Sequence, residues 1–233
     1  MKEKRKVGAA ISLIGAILGI VLIYASFLQV YEPIMASEMA DGRAGGEIIS
    51  DGLSVSKYVM PVVNDVGLIG GALWAVAAFG FMKKEKWAWI LGVLSASLQM
   101  LAGFFPTIPA KSIDLPATTM PVFLIATALW FAVLLVHKVD KKVIGLLFVA
   151  GLAYVLTYMD GVATISKYQT TTYNDVWKGM YMMAQMVLWF GATAWLVFAV
   201  GVLKHKTWAL PLGIAAGMIS IICGYPLASV NII

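Results

Sequence analysis

The sequence predicts an all-α integral membrane protein: seven transmembrane helices in a 3+1+3 parallel internal repeat, N-terminus cytoplasmic and C-terminus outside. Three observations predict it. The chain is 61% hydrophobic and 12% charged with a mean hydropathy of +0.88, outside the range of soluble globular domains. Seven apolar stretches approach or exceed the length that crosses a hydrocarbon core, where an unpaired backbone forces the helical form. A set of polar, glycine and tryptophan positions also occurs twice at fixed spacing.

The spans run near 7–31, 61–82, 87–105, 117–137, 143–158, 176–203 and 207–229. The first is too long for a signal-peptide core, and no small-residue cleavage site follows it. Orientation comes from the basic residues. Lys2, Lys4, Arg5, Lys6, Lys83, Lys84, Lys86, Lys138, Lys141, Lys142, Lys204 and Lys206 fall on one side, twelve of the seventeen Lys and Arg. The other side holds Arg43, Lys57, Lys111, Lys167 and Lys178 together with nine of the twelve acids. The basic side is the cytoplasmic one. The net charge of +5 is then a consequence of topology and calls for no nucleic-acid partner. The expected location is the cell membrane, multi-pass.

The repeat is carried by two matches. Ser56-Lys57-Tyr58, five residues and Asn64-Asp65-Val66 recur as Ser166-Lys167-Tyr168, five residues and Asn174-Asp175-Val176, with Asp51-Gly52 and Asp160-Gly161 upstream. At an offset of 121 residues, Gly70, Trp74, Gly80, Lys83, Trp87 and Gly92 fall on Gly191, Trp195, Gly201, Lys204, Trp208 and Gly213. Residues 1–116 are thus read as a first three-helix unit with a long outer loop at 32–60, 117–137 as a linker helix, and 138–233 as the second unit. An odd helix between the units makes the repeat parallel. That architecture resembles the parallel repeats of SWEET sugar transporters, although the chain has no Pro-Gln pair and its orientation is reversed.

The units differ on the outer side. Asp175 to Trp195 is eleven residues longer than Asp65 to Trp74, about 16 Å of helix, so the sixth helix is expected to project outward. The loop at 32–60 carries Glu32, Glu38, Asp41, Glu47 and Asp51 and the turn signals Asp41-Gly42 and Gly45-Gly46. Together these features form an acidic outer cap.

Each candidate motif has two readings. The repeated element is a pair of outer sites, with Lys57 and Lys167 as cations and Asp65 and Asp175 as anions. Alternatively it is a connector, in which Asp-Gly closes one helix while Asn64 and Asn174 cap the next, with Asp65 and Asp175 at its positive end. The Gly-x-x-x-Gly pairs at 15/19, 67/71 and 213/217 permit close helix approach, within the chain or between copies. The Pro106 and Pro226 positions read as exit turns. Trp87, Trp89 and Trp208 form an interfacial belt. Met180, Met182, Met183 and Met186 suit adaptable packing better than a soft-metal site.

Depth is the most restrictive feature. No Lys, Arg, Glu or His falls between the interfaces, while Asp65 and Asp160 lie near the outer ends. That argues against an ion-coupled pump. Mild polar groups recur at related depths, Gln99 with Ser220 and Gln185 with Asn64, and Trp74 pairs with Trp195. They either bond helices together or line a path for a neutral solute. The candidate binding residues are Asn64, Asp65, Trp74, Gln99, Asp160, Asn174, Asp175, Gln185 and Trp195. No catalytic residue, metal ligand or cofactor is expected: Cys223 is alone, and His137 and His205 lie among lysines at the cytoplasmic edge.

Three functions remain open. The first is passive transport of a small neutral or weakly charged solute at the repeat interface. The second is a non-catalytic subunit, assembly factor or receptor that binds a membrane-protein partner, or a second copy, through the outer cap. The third is an enzyme acting on lipid or glycan headgroups outside.

Overall fold

The computed structural model describes residues 2–44, 51–170 and 175–230. Among them no strand occurs, and helices follow one another with short turns. Five are long and apolar enough to cross a membrane by length and composition, within Glu3–Ser37, Ser56–Lys83, Ala88–Ser112, Lys141–Ile165 and Val176–Leu203. Two shorter apolar helices, Met120–Val136 and Ala209–Tyr225, lie at the fourth and seventh expected spans.

The first span is α1 (Lys2–Ile17), a π-helical turn (Leu18–Leu22) and α2 (Ile23–Ala44). Then come α3 (Asp51–Lys83), α4 (Ala88–Phe104), the short α5 (Thr107–Ser112) and α6 (Met120–Val136). α7 (Lys141–Thr170), α8 (Asp175–Leu203) and α9 (Ala209–Val230) complete the chain.

Two compact units divide at residues 144 and 145. In the first, α3 packs between α1 and α4, and α6 covers α4 and touches α1. The first span and α3 approach backbone on backbone: a methyl added at Gly19 would stand 2.5 Å from the Gly71 Cα. The 15/19 and 67/71 glycine pairs therefore serve packing inside this unit. In the second unit α8 packs on α9, with Phe198 against Gly213 and Trp195 at 3.9 Å from the methyl position of Gly217. Tyr158 of α7 stacks on Trp189 of α8 with ring centres 5.5 Å apart.

Several local expectations are corrected. Residues 32–44 are helical and so are 51–60, so most of the expected outer loop is helix, and Asp41-Gly42 turns nothing. Gly45-Gly46 lies outside the described residues. Asp160-Gly161 sits inside α7 and closes no helix, because Gly161 is where the Trp189 ring lies against the backbone, 2.5 Å from a methyl position. Asp51-Gly52 opens α3, so Asn64 and Asp65 lie thirteen and fourteen residues into that helix and cap nothing. α3 and α8 have 33 and 29 residues, so α8 is not the longer of the two. The eleven-residue difference arises because the first copy of the motif is inside α3, whereas the second spans the end of α7 and the start of α8. Pro106 does stand in a turn, but Pro226 lies within α9. Its missing N–H costs one ladder bond only four residues from the helix end.

Candidate functional site

The polar groups at depth are joined in a specific way. Trp74 of α3 is fully buried, and its Nε1 donates to Oε1 of Gln99 on α4 at 3.1 Å. Nε2 of Gln99 donates to the Gly15 carbonyl of α1 at 2.8 Å. Gln99 is itself 0% exposed, so one amide satisfies both its ends on two other helices. The contact falls in the last turn of α1, beside the π-helical turn, where the ladder widens. The Trp74 ring also fills the space left by Gly15 and Gly92.

At the matching positions in the second unit, Trp195 Nε1 donates to Ser220 Oγ at 3.2 Å. Ser220 shares a 2.7 Å hydroxyl bond with Thr157 of α7 and donates to the Ala216 carbonyl at 3.0 Å. Thus three helices meet on one polar atom there too, but Trp195 and Ser220 are only partly buried.

The remaining candidates are scattered. Asn64 is 5% exposed, and its Oδ1 has no hydrogen-bond partner among the described residues; the same holds for Oγ1 of Thr119, before α6. Asp65 is exposed on α3. Asp160 is partly buried, with Oδ2 3.5 Å from the methyl position of Gly224 on α9. Gln185 is partly buried on α8, and its carbonyl is 3.4 Å from the methyl position of Gly161. Asp175 is the first residue of α8, and Asn174 lies outside the described residues. Of the nine candidates, Trp74 and Gln99 are directly bonded, while Trp195 bonds to Ser220 and not to Gln185.

Sequence reasoning missed a second arrangement, at the end carrying the basic turns. His137 follows the last residue of α6, and its ring stacks on Trp89 at 5.1 Å and tilts against Phe81 at 5.7 Å. Its Nδ1 donates to the Val133 carbonyl at 2.9 Å. Burial among these rings holds the imidazole below its ordinary 6.5; the Lys4 charge lowers it further, and the carbonyl bond opposes both. Beside Phe81, a groove of about 190 Å³ is lined by Arg5, Lys6, Ala9 and Met82 as well as that ring. Placing His137 among lysines at the apolar edge was legible from sequence, but its aromatic neighbours come from α3 and α4 and are distant along the chain. No family model, curated protein or solved structure matches the chain.

Proposed function

We propose that the chain is a non-catalytic membrane-embedded subunit, built from a duplicated three-helix unit in parallel orientation, that acts by binding a partner or a second copy. The observation carrying this reading is the burial of Gln99 between three helices. A mid-depth amide lining a solute path would face that path, whereas this one is 0% exposed, with one bond from each end joining α1, α3 and α4. The matching hydrogen bonds from Trp74 and Trp195 support the duplication. The basic-residue asymmetry supports a cytoplasmic N-terminus in the cell membrane. In that orientation Lys84→Cys and Asp140→Cys stay protected from impermeant thiol reagents added outside intact cells, and labelling there would reverse the topology.

Passive transport of a neutral solute is the second reading. It is favoured by Asn64 Oδ1 and Thr119 Oγ1, buried acceptors with no partner among the described residues. Osmotic shrinkage of reconstituted vesicles separates the two. A subunit gives no flux of small neutral solutes above that of protein-free vesicles. Flux that Asn64→Leu or Thr119→Val abolishes while the melting temperature is unchanged would instead establish a path.

A further inference from the structure

Arg5 and Lys6 lie near the start of α1, and Phe81 and Met82 in the last turn of α3. The two helices touch here, because the Phe81 ring lies over the Gly8 backbone. The groove between them has an apolar floor of Ala9 and Phe81 and two cationic side chains at its edge. Among the described residues neither cation has an ion-pair partner, although Glu3 is exposed one turn before Lys6. Two exposed apolar side chains stand at the groove: Met82 on its wall, 66% exposed, and Val7, next to Lys6 on α1, 40%.

Unpaired cations beside an apolar floor and exposed apolar side chains match an amphiphile with an anionic head. We propose that this groove binds the phosphate of an anionic phospholipid. Arg5 grips two phosphate oxygens with its planar fork. Lys6 supplies a second charge, and the first acyl methylenes lie over Phe81 and Met82. Free phosphate would satisfy the cations and leave the apolar floor unused. The inference rests on the proposed orientation, which sets these residues at the cytoplasmic headgroup level, where anionic lipids attract basic residues.

The test is native mass spectrometry of the intact protein in neutral detergent with equal phosphatidylglycerol and phosphatidylcholine. The expected preference for phosphatidylglycerol is roughly tenfold. Arg5→Gln/Lys6→Gln should remove it, and Arg5→Lys/Lys6→Arg should keep most of it. Ala9→Leu fills the floor and leaves both cations, so it should also lose the preference. Lys204→Gln/Lys206→Gln, in a different basic turn, should retain it. Equal loss in that control would reduce the effect to general surface charge, and an unchanged preference in Arg5→Gln/Lys6→Gln would remove the site. Displacement of the lipid by millimolar inorganic phosphate would make it a simple anion site and overturn the proposal. None of these outcomes depends on vesicle flux, so the subunit reading and the lipid site fail separately. Labelling of Lys84→Cys from outside would overturn the orientation and, with it, the lipid site that rests on it.

Discussion

Lys84 and His205, 121 positions apart, both end a helix in the left-handed conformation, with φ of 68° and 51°. Each amide bonds three residues back, to Phe81 and Val202, and each following amide reaches five residues back, to Gly80 and Gly201, at 2.9 Å. This is the two-bond closure that usually recruits glycine. The next helix then folds back so that Trp87 lies over Gly80 and Trp208 over Gly201.

The left-handed residue carries a side chain in both turns, which costs about 1–2 kcal/mol each. Lys84→Gly and His205→Gly should relieve that cost, offset in part by the greater freedom of glycine in the unfolded chain. Both variants should melt at or slightly above the parent temperature. A fall in either would show that the side chain makes a compensating contact.

Gln99→Leu keeps the volume and removes both hydrogen bonds. It leaves the Trp74 indole N–H unsatisfied in a dry interior, at about 1–3 kcal/mol for a buried orphan, and it also removes the bond to the Gly15 carbonyl. Ser220→Ala should cost less, about 0.6 kcal/mol, a typical value for polar contacts between membrane helices. Thermal unfolding in one detergent ranks the two; equal losses would deny Gln99 its central place.

Gly71→Ala should be strongly destabilising, since a methyl on Gly71 would stand 3.0 Å from the Gly19 backbone and neither chain has a flexible atom to move. Gly145→Ala and Gly151→Ala meet nothing within 4 Å, and alanine there should stabilise by about 0.5–1 kcal/mol. Similar melting temperatures for all three variants would contradict the packing of α1 on α3.

His137 gives a pH dependence. Its folded pKa lies below the unfolded value of 6.5, so the unfolded chain binds the proton more readily. Stability is therefore complete above about 6.5 and declines as the pH falls through and below that value. His137→Phe should flatten this part of the curve while preserving the ring stack on Trp89. A decline unchanged in His137→Phe would assign it to another group.

The apolar helices, five long and two shorter, were legible because hydropathy over about twenty residues is a property of composition, which tertiary contacts do not alter. The helix ends were not. The stretch from Glu32 to Ala44 is polar enough to mark the end of an apolar window, yet its backbone continues the helix. Asp160-Gly161 carries a turn signal of local propensity, and a few tenths of a kcal/mol of propensity yields to the packing of Trp189 against that glycine. Trp74 and Gln99 were singled out from depth and spacing alone. Their third partner, the Gly15 carbonyl, was not readable, because a backbone acceptor leaves no mark on the residue type.

Glutamine at 99 has almost no substitute. Asparagine is one methylene short of reaching both α1 and α3, glutamate donates only when protonated, and leucine lacks both functions. At 220 the demand is only for a small hydroxyl, which threonine also meets. Relatives of this chain would therefore drift unevenly, with the α1–α3–α4 junction held nearly fixed while α7, α8 and α9 explore many sequences. A library of random substitutions scored for surviving protein would show that contrast as a narrow spectrum at 15, 74 and 99 and a broad one at 157, 195 and 220.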